Sequence, residues 1–194
     1  MIALIGFTGA GKSMLGRSLT MFYGLPCYDV DTLIEKQTGC TIARLFSEHG
    51  EAYFRAVEEN VIASLLQSQS TSNNCVIVTG GGAVLSENTR SLLYEHCFVV
   101  HVYAPLDVIV DRLRADQSRP LLQGTDFVEA LAALHAARET LYDFAHVKIE
   151  MQNSYQAASL VLGKWLHFSY RQTNTEGHAA LRHHQQEILQ RKTL

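Results

Sequence analysis

The sequence predicts an α/β fold in which a parallel β-sheet is covered by helices on both faces. Short apolar runs bounded by turn residues alternate along the chain with longer segments of helical periodicity. A glycine-rich phosphate-binding motif lies between the first apolar run and the first helical segment. A length of 194 residues with 47% hydrophobic residues is enough for one domain with a continuous core.

Five segments have the length and composition of buried strands. They are short, rich in Val, Ile and other apolar residues, and bounded by turn residues, as expected for strands covered on both faces. The predicted strands span residues 2–5, 26–29, 75–78, 98–102 and 147–149. The segment at 26–29 is the weakest of them, because it contains both a proline and a terminal aspartate.

The segments between the strands have apolar residues at helical spacing, and several begin with a Ser or Asp cap. The predicted helices span residues 12–23, 31–38, 51–66, 86–94, 106–114, 126–141 and 157–168. The last of them carries Trp165, which we expect to be a core residue. The predicted domain ends at residue 170, and residues 171–194 form a polar tail with a predicted helix at 179–190 or no fixed structure.

Composition excludes several classes of partner. A net charge of −3 and a pI near 6.3 give no general attraction to nucleic acid or to an anionic membrane.

The four cysteines are widely separated without CxxC spacing, so we expect them to be reduced and mostly buried. Six of the nine histidines share no metal-ligand spacing, and the three in the tail could bind metal only adventitiously. The apolar run at 2–5 is too short for a signal peptide. We therefore expect a cytoplasmic monomer that binds neither nucleic acid nor membrane.

Residues 6–13, GFTGAGKS, match the phosphate-binding pattern G-x-x-x-x-G-K-[ST] between a strand and a helix. In such a loop the glycines turn backbone amides toward phosphate oxygens, the lysine reaches the terminal phosphates and the hydroxyl binds Mg²⁺. The motif predicts a nucleotide but not its acceptor. The predicted nucleotide contacts are Gly9, Ala10, Gly11, Lys12, Ser13 and Met14.

Polar or glycine-rich segments follow the other strands. These are DVD at 29–31, TGGG at 79–82 and a long polar stretch at 117–124. Ligands of open parallel sheets bind at the carboxyl ends of the strands, so we expect the acceptor site to be built from these segments.

The chain resembles the shikimate kinases, which are small relatives of the nucleoside monophosphate kinases. The resemblance rests on several segments in the same order: GFTGAGKS at 6–13, DVD at 29–31, IARLFSEHGEAYFRAVE at 42–58, TGGG at 79–82, RPLL at 119–122 and ARETLY at 137–142. It implies a three-layer P-loop fold with strand order 2-3-1-4-5, an acceptor-binding region at about 31–60 and a mobile lid at about 112–124. It also implies ATP and shikimate as substrates and Mg²⁺ as cofactor.

The resemblance implies that Lys12, Asp31 and Arg119 are catalytic and that Asp29 belongs with Ser13 to the metal site. Asp31 would bind the acceptor hydroxyls and receive the proton of the attacking one, although it could instead cap the following helix. Asp29 would hold Mg²⁺ through water, or could be a solvated carboxylate at a strand end. Arg119 in the lid would neutralise the transferring phosphoryl group, or could be an exposed arginine.

The resemblance also assigns the acceptor pocket. Arg55 and Arg138 would bind the carboxylate of shikimate, because a guanidinium can make two parallel hydrogen bonds to it. The alternatives are a surface arginine for Arg138 and, for Arg55, helical pairing with Glu51, Glu58 or Glu59. Glu58 would then orient Arg55. The glycines of the turn would let the backbone approach the acceptor, or could simply form a tight turn: Gly80, Gly81 and Gly82.

The adenine pocket is less clearly marked. Arg112 resembles the arginine that stacks on adenine in this family, with Arg114 as the alternative, and Asn153 lies in the loop expected to complete the pocket. Two other functions stay open at this point. One is a kinase for another polyol acid such as gluconate, which would lack the two arginines at the acceptor. The other is a nucleotide-dependent regulatory module without phosphoryl transfer.

Overall fold

Five parallel strands form the central sheet of the computed structural model, which describes residues 1–68, 74–115 and 125–171. The strand order is β2-β3-β1-β4-β5, and every neighbouring pair is parallel, which confirms the predicted sheet and its order. The strands are β1 Ile2–Ile5, β2 Cys27–Asp29, β3 Val76–Val78, β4 Phe98–Tyr103 and β5 Val147–Glu150. Each lies within two residues of its prediction.

Helices connect the strands in the order that the sequence predicts. The α-helices are α1 Lys12–Tyr23, α2 Val30–Thr38, α3 Ile42–Gln67, α4 Glu87–His96, α5 Leu106–Ala115, α6 Thr125–Arg138 and a last helix, α7, at 154–171. Short 3₁₀ helices occupy Ala83–Leu85 and Glu139–Tyr142. The predicted tail helix at 179–190 lies outside the described residues.

The core lies on both faces of the sheet, as expected for three layers. Alternate residues of β1 point to opposite faces: Leu4 packs with α1 and α7, and Ile5 packs with α2, α3 and α4. Trp165 on α7 is buried in the first of these two clusters, which confirms it as a core residue. Burial of each large aliphatic side chain contributes about 1.5–3 kcal/mol, so the two clusters dominate the stability of the sheet.

The predicted helix at 51–66 is confirmed as the part of α3 that follows Gly50, but the helical part before Gly50 was not predicted. The segment begins at Ile42 with Thr41 as its cap, and it is interrupted only at Gly50, whose φ of 80° is not helical. Because Leu45 is buried and Phe46 is packed against the core, the first part of the segment covers the sheet like the second. Helical spacing of Ile42, Leu45 and Phe46 was a usable signal, and the glycine obscured it.

The predicted helix at 126–141 was too long at its carboxyl end. The α-helix α6 stops at Arg138, and Glu139–Tyr142 continue as a tighter 3₁₀ helix. This change brings Tyr142 into the core beside the sheet. Arg138 therefore lies at the junction of two helix types and not inside a regular helix.

All four cysteines are free thiols, as predicted. Cys75 and Cys97 are buried, whereas Cys27 and Cys40 are half-buried. Burial raises the pKa of Cys27 to about 11 and that of Cys97 to about 12, so both stay protonated at neutral pH. Among the described helices, none is long and apolar enough to cross a lipid bilayer.

His101 on β4 is buried and gives the fold a pH-dependent stability. Its ring stacks on Tyr142 with centroids 4.4 Å apart. Burial lowers the pKa of His101 to about 4, and nearby Lys148 acts in the same direction while Asp143 opposes it. Because the folded-state pKa lies below the unfolded value near 6.5, the stabilisation is complete above that pH and is lost as the pH falls toward 4.

We expect this loss to be on the order of 2–3 kcal/mol of unfolding free energy. It should be measurable as the difference between wild type and His101→Phe in urea unfolding at several pH values, since phenylalanine keeps the stacking but cannot titrate. The exposed His167→Phe is the matched control and should follow wild type. Parallel pH curves for wild type and His101→Phe would contradict the assignment.

Candidate active site

The phosphate-binding loop joins the carboxyl end of β1 to the amino end of α1. Gly11 is the cap of α1 with φ of 104°, in the left-handed region that favours glycine. A Cβ on Gly11 would come within 2.7 Å of the Met151 side chain, so a larger residue would also displace the loop after β5. The backbone amides at the start of α1 point out of the helix end, where an anion is stabilised.

Lys12 folds back over this loop. Its ammonium donates to the carbonyl oxygens of Gly6 at 2.9 Å and Phe7 at 3.0 Å, and the residue is only 8% exposed. These contacts hold the charge at the mouth of the loop, within reach of a phosphate there. Met14, the last predicted contact, is exposed in the first turn of α1.

Ser13 and Asp29 come together at the edge of the loop. The Ser13 hydroxyl donates to Asp29 Oδ2 at 3.2 Å. The other carboxylate oxygen of Asp29 accepts from the Thr32 amide and caps α2. The cap of α2 is therefore Asp29 and not Asp31, which lies in the first helical turn. A hydroxyl beside a carboxylate fits Mg²⁺ that keeps most of its water, and it would not suffice for a fully protein-bound metal.

Arg112 is tied to the loop itself. Its guanidinium donates to the carbonyl oxygens of Gly9 at 3.0 Å, Ala10 at 3.2 Å and Met151 at 3.2 Å. It thus links the phosphate loop to the loop after β5, a role that no sequence signal indicates. Arg114 is exposed. Adenine binding by either arginine stays a prediction.

Asn153 caps the last helix. Its side-chain oxygen accepts from the backbone amides of Tyr155 at 3.0 Å and Gln156 at 3.1 Å. This cap fixes the loop after β5, where the predicted adenine pocket would lie. Contact between Asn153 and nucleotide stays a prediction.

Arg55 lies on α3 between two carboxylates. It donates to Glu51 at 3.0 Å and to Glu58 at 2.6 Å, so the helical pairing considered from the sequence is present for these two glutamates. Glu59 instead accepts from Ser86 and Asn88. The guanidinium also lies 5.0 Å from the ring centre of Phe54. The side chain is 22% exposed and is therefore held in place while still accessible.

Glu58 is a buried carboxylate at the centre of the acceptor region. It is 2% exposed, and this burial raises its pKa, while the hydrogen bond and charge of Arg55 lower it and Asp31 raises it further. Within the described residues, its Oε1 atom has no hydrogen-bond partner. A buried oxygen of this kind is expected to receive a hydrogen bond from a ligand or from water.

The glycine turn after β3 packs directly against these side chains. A Cβ on Gly80 would overlap Glu58 Oε1 and lie 3.0 Å from Asp31 Oδ1. A Cβ on Gly82 would overlap the guanidinium of Arg55. The structure thus brings together Asp31, Glu58 and Arg55, whose side chains come from two different helices and meet at one turn.

We expect Gly82→Ala to raise the KM for the acceptor on the order of 10- to 100-fold, because the added methyl group must displace Arg55. The KM for nucleotide should change little. Steady-state kinetics with each substrate varied in turn would measure both constants. Gly163→Ala is the matched control, since a Cβ there meets nothing within 4 Å. Equal KM values for Gly82→Ala and wild type would contradict the assignment.

Arg138 approaches the same turn from α6. Its Nη1 donates to the Gly81 carbonyl at 3.4 Å, a long hydrogen bond. Its buried Nε atom has no hydrogen-bond partner within the described part of the chain. Arg55 and Arg138 therefore meet successive glycines of one turn and leave donors available for an anion. Arg119 lies outside the described residues.

A phosphate loop at the first strand of a 2-3-1-4-5 parallel sheet, beside a pocket with two arginines, defines a P-loop phosphotransferase. The shikimate kinase family model matches residues 8–167. Shikimate kinase of Geobacter sulfurreducens is 41% identical over 149 residues, which cover 77% of this chain and 80% of that protein. The chain belongs to the shikimate kinase family, as the sequence motifs predict.

Solved structures of the family show the same fold. Shikimate kinase from Acinetobacter baumannii in complex with shikimate has 34% sequence identity and a TM-score of 0.76, covering 85% of this chain and 92% of that one. Shikimate kinase from Aquifex aeolicus has 31% identity and a TM-score of 0.69, covering 83% and 93%. The predicted three-layer P-loop fold is thereby confirmed.

Proposed function

We propose that this chain transfers the γ-phosphoryl group of ATP to the 3-hydroxyl of shikimate, giving ADP and shikimate 3-phosphate. Membership of the shikimate kinase family supports this activity. The observation that carries the proposal is the pair Arg55 and Arg138, which flank one glycine turn beside the phosphate loop. Two guanidinium groups fit an acceptor that carries a carboxylate, and a neutral sugar would need neither.

Asp31 is the proposed base. In the reaction, the 3-oxygen of shikimate forms a bond to the γ-phosphorus while the bond from that phosphorus to the bridging oxygen of ADP breaks. The hydroxyl proton passes to the Asp31 carboxylate, which lies beside Gly80 and Glu58. The buried Glu58 holds Arg55 by its 2.6 Å hydrogen bond and so orients the carboxylate end of shikimate.

The phosphate groups of ATP would be bound by the phosphate-binding loop and Lys12. Lys12 exchanges its two carbonyl contacts for phosphate oxygens and neutralises the charge that develops on them. Ser13 and Asp29 are the residues that would hold Mg²⁺, whose positive charge screens the phosphate oxygens when it is bound. Arg119 is proposed to add a further positive charge from the predicted lid at about 112–124, of which residues 112–115 are the end of α5.

The proposal also covers the nucleotide contacts, the extent of the catalytic domain, the location of the protein and its oligomeric state. We propose nucleotide contacts along 9–14 and at Arg112 and Asn153, and one catalytic domain at 1–170 followed by a polar tail. We further propose that the protein acts in the cytoplasm as a monomer. Its net charge of −3 supports small-molecule substrates and not a nucleic-acid partner.

The test is a coupled assay that measures ADP release with shikimate, quinate and gluconate as acceptors in turn. Shikimate should support turnover far better than the other two acids.

Arg138→Met should raise the KM for shikimate by roughly 30- to 100-fold, since it removes a charged partner of the carboxylate. Arg17→Met, on the exposed face of α1, is the matched control and should keep the wild-type KM for shikimate.

Each alternative predicts a different result. A gluconate-type kinase would turn over gluconate and would be insensitive to Arg138→Met. A regulatory module would bind nucleotide without acceptor-dependent ADP release. Either result with well-folded protein would overturn the proposed function.

A further inference from the structure

Phe7 is the first variable residue of the phosphate loop, and its side chain is buried in the core. The ring is only 2% exposed. It packs in a separate core cluster with buried residues of α5 and α6, the two helices on either side of residues 116–124: Ile109, Val110, Leu113 and Leu131. Its main-chain carbonyl, in contrast, accepts a hydrogen bond from Lys12.

Two side chains of α6 contact the Phe7 ring. The His135 ring meets it in an edge-to-face arrangement, with centroids 5.1 Å apart and planes at 75°. The guanidinium carbon of Arg138 lies 5.9 Å from the ring centre, at the outer edge of the range for a cation–π contact. Residues 135 and 138 are three apart on one helix, so both lie on the face that the ring covers.

Few other contacts orient Arg138 in the part of the chain that the structure describes. Its only described hydrogen bond to protein is the 3.4 Å contact with the Gly81 carbonyl, and Gly81 itself packs against Thr8, the residue after Phe7. Arg55, by comparison, is held by two glutamates. The ring of Phe7 is therefore one of the few described contacts of the Arg138 guanidinium.

We propose, on the basis of the function proposed above, that Phe7 is a positioning residue for acceptor binding, acting through Arg138. Although it belongs to the nucleotide motif, its side chain sets the affinity for the carboxylate of the acceptor. Its contribution to nucleotide binding is the backbone carbonyl that Lys12 contacts, and this group is present whatever the side chain. A substitution of Phe7 should therefore weaken binding of the acceptor without weakening binding of the nucleotide.

The test compares Phe7→Leu with Phe98→Leu, the same substitution at a buried position outside the site. Phe7→Leu should raise the Kd for shikimate by about three- to tenfold, the loss expected for one cation–π contact and its restraint. The KM for ATP should change less than about twofold. Phe98→Leu should keep wild-type values for both constants. Calorimetry with shikimate and initial rates would give these numbers.

A double-mutant cycle distinguishes action through Arg138 from a general loss of packing. In an Arg138→Met background, Phe7→Leu should weaken shikimate binding no further, because the group that it positions is gone. Additive effects of the two substitutions would overturn the inference, as would equal losses for ATP and shikimate. If circular dichroism shows that Phe7→Leu does not fold, Phe7→Met replaces it in the same cycle.

The cycle also distinguishes failure of the inference from failure of the proposed function. If Arg138→Met leaves shikimate affinity unchanged, the proposed carboxylate site is wrong. If Arg138→Met weakens binding but Phe7→Leu does not, only the role of Phe7 is wrong.

Discussion

Replacing Lys12 with methionine is expected to lower kcat by on the order of a thousandfold, the effect typical of removing one charge-stabilising donor from a transition state. The ammonium already lies over the phosphate loop, bound to the Gly6 and Phe7 carbonyls. Methionine keeps the unbranched apolar stem of the side chain but removes the charge that the developing phosphate oxygens require. Single-turnover rates at saturating ATP and shikimate would measure the loss without interference from weaker binding.

Lys164→Met on α7 is the control for this experiment. Lys164 is exposed and far along the chain from the loop, so this substitution makes the same chemical change without touching the site. Its rate should equal that of wild type. A Lys12→Met enzyme that keeps more than about a tenth of wild-type kcat would contradict the assigned role of the ammonium.

The second large effect is expected for Asp31→Asn. Loss of a positioned base typically costs about 10²- to 10⁴-fold in rate, and asparagine keeps the shape of the side chain without the capacity to accept the proton. Because Asp31 raises the pKa of the buried Glu58, the substitution should also lower the pKa of that carboxyl. The pH dependence of kcat and the NMR titration of Glu58 would show both consequences.

Asp107→Asn is the matched control, because Asp107 occupies the first turn of α5 as Asp31 occupies the first turn of α2. It is exposed and contacts only the neighbouring backbone amide among the described hydrogen bonds. Wild-type activity is expected for it. If Asp31→Asn retained full kcat with unchanged KM, the proton would have to go elsewhere, and the proposed base would be wrong.

Element positions were predictable where the local pattern was strong. The strand β1 is a continuous apolar run, β4 is one interrupted only by His101, and α1 begins directly after the glycines of the loop, so these elements are marked in the sequence. The amino end of α3 and the carboxyl end of α6 were not predicted. Gly50 interrupts the first without stopping it, and Arg138 ends the second where the chain tightens to a 3₁₀ helix, because tertiary packing decides both.

Some residues of the candidate site could be predicted from the sequence, and others could not. Residues in motifs, such as Lys12 and the glycine turn, could be named from the sequence because each role needs one residue type at one spacing. The hydrogen bonds of Arg112 could not be predicted. Its partners Gly9 and Ala10 are more than a hundred residues away in the sequence, and Met151 is thirty-nine residues away. Nothing local to Arg112 specifies those partners.

The sequence by itself determined the class of fold, the nucleotide loop and the family, because each depends on patterns within a short stretch of chain. Only the tertiary structure decided which groups share the acceptor pocket. Glu58 becomes a buried carboxylate because α3 crosses the glycine turn, and Phe7 contacts Arg138 because α6 packs over the loop. Such contacts depend on how helices pack on a sheet, and side-chain packing is a property of the whole core.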